Sequence, residues 1–207
     1  LVGDVQSGKT SHMFGLMCAA ADESFMNFVL LTTDNILLQQ QTLKRAQKDL
    51  CDFCVCDETE YLKFVQNNLQ KPAVIVLKKN SRVLQQWILK LWANILGSTG
   101  FMKGNPLFIV DDEADAASLN TQVNKNKQST INRNLEAIKK TTSSSIYMEV
   151  TGTPQSILLQ TQKSGWKPYF IYYFKPGQGY MGGNFFFPDE QPKHVIMTDN
   201  EEAQDLL

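Results

Sequence analysis

Residues 3–10 read Gly-Asp-Val-Gln-Ser-Gly-Lys-Thr, which matches the pattern GxxxxGK[ST]. In a loop of this kind the glycines let backbone N–H groups wrap phosphate oxygens, and the N-terminus of the following helix adds a favourable dipole. A helical pattern follows over residues 12–21, and its apolar side chains fall on one face: Met13, Leu16, Met17 and Ala20. The stretch therefore predicts a nucleotide-binding α/β domain.

The segment 3–10, called the glycine loop below, predicts a magnesium-nucleotide site. Lys9 would reach the β and γ phosphates, and the Thr10 hydroxyl would bind magnesium, whose octahedral shell combines one or two protein oxygens with phosphate oxygens. The predicted cofactors are ATP and magnesium. The predicted nucleotide-binding residues are Gly3, Asp4, Val5, Gln6, Ser7, Gly8, Lys9, Thr10 and Ser11.

A second motif supplies the carboxylates that the glycine loop lacks. An apolar strand at 107–110 ends in Asp111-Asp112-Glu113-Ala114-Asp115, as a Walker B strand does. Asp112 would hold magnesium through water, Glu113 would orient or deprotonate the attacking water, and Asp111 is ambiguous. An acidic run after a strand is usually a solvated loop. Here the glycine loop and the acidic run are two independent requirements of one magnesium-nucleotide site, which favours a functional role for the acidic run. The predicted catalytic residues are Lys9, Asp112 and Glu113.

Apolar runs of strand length alternate with helical patterns along the chain. The clearest predicted strands are 25–32, 73–77, 107–110 and 146–150. Further helices are predicted at 36–50, at 81–96 with Ser81 as its cap, and at 131–140, after a mobile loop at 124–128. Short strands that are apolar throughout imply a parallel sheet covered on both faces, so the predicted fold class is α/β.

Composition sets limits on the class of protein. The 207 residues are 43% hydrophobic and carry a formal net charge of -1, so any nucleic-acid contact must come from a local surface. No stretch approaches the ~20 apolar residues of a membrane span, which favours a cytoplasmic protein without membrane contact. Because the glycine loop begins at Gly3, we expect the sequence to be a fragment whose first strand is mostly missing.

Three of the four cysteines, Cys51, Cys54 and Cys56, form a CxxCxC cluster. It could supply part of a zinc site, which needs four ligands. The two histidines, His12 and His194, are far away in sequence and have no paired spacing. Reduced thiols of a cytosolic protein are the better interpretation.

The motifs together resemble those of superfamily two helicase and translocase motors over nearly the whole chain. Residues 112–115 spell the DEAD form of helicase motif two, 32–35 look like the strand-end motif that grips a nucleic-acid backbone, and 150–154 look like motif three. The combination VQSGKT, VLKKN, DDEAD, TGTP and GYMGG is closer still to the bacterial endonuclease Z-one domain, a helicase-like ATPase of restriction and phage-defence systems.

The resemblance implies a RecA-like P-loop NTPase fold, the first lobe of a helicase core, with DNA as the track and a partner nuclease. It also implies that Thr151, Gly152 and Thr153 couple the ATP state to the nucleic-acid site. The candidates for nucleic-acid contact all lie at predicted strand ends, where open α/β sheets place ligands: Thr33, Asn35, Lys78, Lys79 and Asn80. Gln6 and Gln155 are weaker candidates.

The expected organisation is a RecA-like lobe at 1–165 and an aromatic, glycine-rich extension at 166–207 that leads toward an absent second lobe. The extension would form an edge hairpin or a passage to that lobe, with its aromatic side chains in the core. Departures from the family pattern are Gly152 in place of alanine and the lack of an adenine-reading Q motif. No arginine follows Arg133, so the fingers expected from a second lobe are missing and the chain alone should be a weak ATPase.

Other functions remain open at this point. A small-molecule kinase would need arginines poised over the phosphates, and Arg45, Arg82 and Arg133 form no such cluster in the sequence. A GTPase would need an Asn-Lys-x-Asp motif, and residues 124–127 lack its acid. The non-enzyme alternative is a scaffold in which the bound nucleotide holds two partners together.

Overall fold

The computed structural model describes residues 1–4, 6–90, 105–115, 129–142, 144–155 and 167–182. Within these ranges five parallel strands form one sheet, in the order β2-β3-β1-β4-β5. The strands are β1 at Asn27–Thr32, β2 at Cys54–Asp57, β3 at Ala73–Lys78, β4 at Leu107–Asp112 and β5 at Ser145–Val150. The predicted α/β class with a parallel sheet is confirmed.

Five helices accompany the described strands: α1 at Lys9–Asp22, α2 at Ile36–Asp49, α3 at Tyr61–Asn67, α4 at Ser81–Lys90 and α5 at Thr130–Lys139. Side chains of α1 and α2 share one buried cluster with Phe28, Leu30 and Val76. Side chains of α3, α4 and α5 share a second cluster with the alternate strand residues, such as Val29 and Leu31. Helices therefore cover both faces, because successive strand residues point to opposite sides of the sheet.

Because all five strands run in the same direction, their carboxyl ends lie at a single edge of the sheet, called the carboxyl edge below. Along this edge the ends of β2, β3, β1, β4 and β5 follow one another. Val2 continues the series, because it forms parallel bridges with Thr151, just after β5, and with Tyr173. The glycine loop therefore leaves the sheet beside β5, on the side away from β4.

Two elements were not predicted, and two local details were wrong. The sequence analysis missed strand β2 and the seven-residue helix α3. In α1 Met13 and Met17 are buried as predicted, but Phe14 is buried in place of Leu16, which is 42% exposed. Helix α4 is capped by Asn80 rather than Ser81, since the Asn80 Oδ1 atom accepts hydrogen bonds from the backbone N–H groups of residues 82 and 83.

The aromatic segment after residue 166 is described only over 167–182, and most of it is not core. Phe174 is buried, but Tyr169, Phe170, Tyr172 and Tyr173 are at least 50% exposed. Tyr173 pairs with Val2 in the parallel sense. Whether the extension forms an edge hairpin or a passage to a second lobe stays a prediction. The loop predicted at 124–128 and the end of the helix predicted at 81–96 lie outside the described residues, and the division into two domains stays a prediction.

None of the helices in the described part of the chain is long and apolar enough to cross a membrane.

Candidate nucleotide-binding site

The glycine loop turns sharply from the sheet into helix α1. Gly8, the residue before the helix, has a φ of 93°, a left-handed conformation that glycine adopts without strain, and Gln6 has a φ of 59°. Among the described residues no side chain caps this helix. The geometry therefore leaves the start of α1 open to an anionic group, because the first N–H groups of a helix have no partner within it.

Lys9 and Ser7 are the two side chains of the glycine loop that bear on a phosphate site. The Lys9 Nζ atom donates to the carbonyl oxygen of Asp4 at 2.8 Å and to that of Gly3 at 3.4 Å. The Ser7 Oγ atom is buried and has no hydrogen-bond partner in the described structure. Such an unsatisfied buried hydroxyl is costly, and a phosphate oxygen would satisfy it. The residues present fit the phosphates of a bound nucleotide. Val5 lies outside the described residues.

The carboxylates predicted to act on the nucleotide follow strand β4 at the same edge. Asp112 is partly buried, while Glu113 is exposed and has a φ of 53°. A non-glycine residue in this region is uncommon, and such strain clusters at functional sites. Burial, reinforced by the charge of Glu113, raises the pKa of Asp112. A divalent cation at this position would offset the repulsion between the two carboxylates.

Lys79 lies beneath these carboxylates and fixes the backbone that carries them. Its ammonium group forms an ion pair with Asp111, with the Nζ and Oδ1 atoms 3.0 Å apart and both side chains fully buried. The same Nζ atom donates to the carbonyl oxygens of Asp112 at 2.9 Å and Glu113 at 2.6 Å. The Tyr147 hydroxyl donates to the other oxygen of Asp111. Asp111 is thus a structural anchor and not a solvated neighbour.

Thr151 joins the glycine loop to the acidic motif. Its carbonyl oxygen accepts a hydrogen bond from the Gly3 N–H at 3.3 Å, and its hydroxyl donates to the Asp115 Oδ1 atom at 2.7 Å. The Thr153 hydroxyl donates to the other oxygen of Asp115. Desolvation acts to raise the pKa of Asp115, but the hydrogen bonds from Thr153 and Thr151 outweigh it, so the pKa is lowered. Gly152 lies between the two threonines.

The predicted nucleic-acid residues lie together at the carboxyl ends of β1 and β3, but most are already engaged. Lys79 is 1% exposed and its ammonium is paired within the protein, which argues against a contact of that group with nucleic acid. Lys78 pairs with Glu58 at 3.2 Å. Asn35 caps α2, and Asn80 caps α4 while its amide also donates to Asp34. Thr33 has a buried hydroxyl without a partner in the described structure.

The cysteine cluster does not form a metal site among the residues that the structure describes. Cys51 is exposed, while Cys54 and Cys56 lie on β2 with their side chains on one face. Burial raises the pKa of both β2 thiols, which keeps them protonated at neutral pH. In the described ranges no three His, Cys, Asp or Glu side chains gather as metal ligands. The predicted magnesium site needs fewer protein ligands than such a cluster. Thr10 and Asp112 would bind the ion together with phosphate oxygens.

Sequence reasoning missed several residues of this site, because long-range contacts place them there. Tyr173 donates through its hydroxyl to the Asp4 Oδ1 atom at 3.0 Å. The Phe174 ring stacks on His12 with 4.0 Å between ring centroids, and a Cβ atom at Gly3 would overlap that ring. The sequence signal that could have revealed Tyr173 and Phe174 was the aromatic run itself, which was interpreted as part of the core.

Comparisons with protein-family models, with curated proteins and with solved structures found no significant match to this chain.

Proposed function

We propose that this chain is the ATP-binding and hydrolysing lobe of a helicase-like DNA translocase or remodeller, with a RecA-like P-loop fold, acting in a restriction or phage-defence endonuclease system. The observation that supports it best is the position of Thr151. Its backbone contacts the start of the glycine loop and its hydroxyl contacts the acidic motif. A change in the state of the bound phosphates can therefore be transmitted through Thr151 to the strand end at 150–154, which resembles the coupling motif.

The proposed reaction is magnesium-dependent hydrolysis of ATP. The glycine loop would hold the phosphates through backbone N–H groups and the Lys9 ammonium, with magnesium between Thr10, Asp112 and the phosphate oxygens. Glu113 would orient the attacking water and accept its proton, and its exposure at the carboxyl edge leaves it accessible to that water. Lys79 would act as a positioning residue, because it holds the carbonyl groups of Asp112 and Glu113.

A nucleotide-binding scaffold, or another P-loop NTPase that does not act on nucleic acid, is the second candidate. Two lysines at the end of β3 favour it: Lys79 is buried in an ion pair, and Lys78 is paired with the carboxylate of Glu58. Neither offers a free positive charge, and phosphate contacts by lysine and arginine dominate nucleic-acid affinity. The DNA part of the proposal therefore depends on the family resemblance of the motifs.

The replacement of Glu113 by Gln separates hydrolysis from binding. We expect Glu113→Gln to lower ATP turnover by about a hundredfold or more while ATP binding persists, because general acid-base groups contribute factors of that size. The matched control is Glu23→Gln, an exposed glutamate at the other end of α1. Turnover is measured as phosphate release, and ATP binding by calorimetry.

Unchanged turnover in Glu113→Gln would show that another group accepts the proton. Loss of turnover together with retained ATP-dependent partner assembly and biological activity would favour the scaffold over the motor.

A further inference from the structure

An open pocket of about 480 Å³ lies beside the glycine loop. Loop residues 6–8 form one wall, and a turn formed by residues 177–181 forms the other, with Tyr180 and Met181 among its lining side chains. Met181 is 61% exposed. The pocket therefore combines the backbone of a phosphate-binding loop with an aromatic and an apolar side chain, as small-molecule sites do.

The turn is held in a fixed position relative to the glycine loop. The Val2 N–H donates to the Tyr172 carbonyl oxygen at 2.8 Å, and the Phe174 N–H donates to the Val2 carbonyl oxygen at 3.0 Å. The Tyr173 hydroxyl adds its bond to Asp4. The turn itself is closed by a bond from the Tyr180 N–H to the Gly177 carbonyl oxygen at 3.0 Å. The second wall is thus anchored to the chain that enters the loop.

The order of the strands determines which way a nucleotide would extend from the loop. Along the carboxyl edge, β5 lies next to β4, which carries Asp112 and Glu113. Val2 lies on the other side of β5, and Tyr173 lies next to Val2. A γ phosphate that is to be hydrolysed must face the carboxylates of β4. The nucleoside, at the opposite end of the triphosphate, would then extend toward the Tyr173 side, where the turn lies.

The ring of Tyr180 lies close to Gly182, just after the turn. A Cβ atom at Gly182 would overlap the ring, so glycine at that position makes room for it. Tyr180 also lines the pocket. An aromatic ring at such a position can stack on a nucleobase, and this stacking tolerates different bases.

We propose that the pocket between the glycine loop and the turn 177–181 binds the nucleoside end of a nucleoside triphosphate, with the Tyr180 ring stacked on the base. This inference rests on the proposed function, since it takes the glycine loop as the phosphate site. Because the contact is a stack, it strengthens the binding of ATP and GTP alike and contributes nothing to the binding of the phosphates.

The test measures magnesium-dependent binding of ATP, GTP and inorganic tripolyphosphate to the intact protein by calorimetry. Tyr180→Ala should weaken ATP and GTP binding by roughly five- to one-hundred-and-fifty-fold, the range that corresponds to loss of one stacked base. It should leave tripolyphosphate binding unchanged. Tyr180→Phe should bind like the wild type. Tyr169→Ala is the matched control, because this fully exposed tyrosine lies in the same segment away from the pocket.

Lys9→Ala separates the two claims, because it should weaken the binding of all three ligands. If none of them binds the wild type in a Lys9-dependent manner, the proposed function fails and the inference fails with it. If all three bind through Lys9, but Tyr180→Ala leaves ATP affinity unchanged or weakens tripolyphosphate equally, the phosphate site stands and the nucleoside pocket is refuted.

Discussion

Lys79 shows how one residue can connect two strands of the candidate site. A lysine is rarely fully buried unless it is paired, and here it pairs with Asp111 and also binds two carbonyl groups of the acidic motif. Removing one partner of a buried pair leaves the other charge uncompensated, which costs more than the pair contributes. The residue is thus essential for the local structure even though the net stabilisation by the pair is small.

We expect Lys79→Met to lower the free energy of unfolding by about 3–5 kcal/mol, the range for a broken buried ion pair. Lys78→Met is the matched control on the neighbouring residue. Its loss should be smaller, because Lys78 and Glu58 remain partly accessible to water. Chemical unfolding of both variants measures the difference.

The double variant Lys79→Met with Asp111→Leu should recover part of the stability lost in Lys79→Met, since no buried charge is then left unpaired. Equal losses in Lys79→Met and Lys78→Met would contradict the buried ion pair.

At the residue scale, the sequence predicted the site residues that belong to contiguous motifs. It missed the residues whose role depends on partners distant in the chain. The glycine loop and residues 111–115 were found because each motif is contiguous. Lys79 was assigned to nucleic-acid contact because it lies at a predicted strand end, where open α/β sheets place ligands. Its burial is decided by Asp111 on another strand, which no local pattern reveals.

At the scale of elements, β5 carries a glutamate in an unusual environment. Glu149 lies beside Asp111 in the strand register, and burial, reinforced by the charge of Asp111, raises its pKa from 4.5 to about 7. The Leu1 ammonium and Lys139 act in the opposite direction. The folded state therefore binds the proton of Glu149 more tightly than the unfolded chain does.

Because its pKa is raised on folding, Glu149 favours the folded state most below about pH 4.5, and this contribution is lost as the pH rises to about 7. The shift corresponds to roughly 3 kcal/mol. We expect Glu149→Gln to be more stable than the wild type at pH 8 and to gain little or nothing at pH 4.5. Chemical unfolding at both pH values measures this, and a difference that does not change with pH would contradict it.

Four strands and four helices could be predicted because each shows a clear apolar pattern. The predicted strands are mostly apolar, and in the sheet β1, β3 and β4 are buried along nearly their whole length. β2 was missed because only Val55 among its four residues is a typical strand former, and its cysteines were read as a possible metal cluster. α3 was missed because its seven residues are too few to show a helical period.

At the scale of the whole molecule, the aromatic segment 172–174 closes against the start of the chain. Phe174 is buried against Gly3 and His12, and Tyr173 holds Asp4. The residues that follow line the proposed nucleoside pocket. The stability of the glycine loop should therefore depend on contacts with a segment near the other end of the described structure.

We expect Gly3→Ala to lower the free energy of unfolding by about 1–3 kcal/mol, because the new methyl group would overlap the Phe174 ring. Gly15→Ala is the control: it lies in α1 with no atom near the new Cβ, and it should stabilise the helix by about 0.5–1 kcal/mol.

The loss caused by Gly3→Ala should be smaller in a Phe174→Leu background, where the ring is absent. A loss of the same size in both backgrounds, measured by thermal unfolding, would show that the segment 172–174 does not pack on the loop in this way.

The most direct test of the central claim is phosphate release by the intact protein with magnesium and ATP, with and without duplex or single-stranded DNA, beside a Lys9→Ala control. The account predicts turnover that DNA stimulates and that disappears in Lys9→Ala. Lys9-dependent turnover that is indifferent to nucleic acid would contradict the motor and favour a scaffold or another P-loop NTPase, and turnover that survives in Lys9→Ala would refute the glycine loop as the phosphate site.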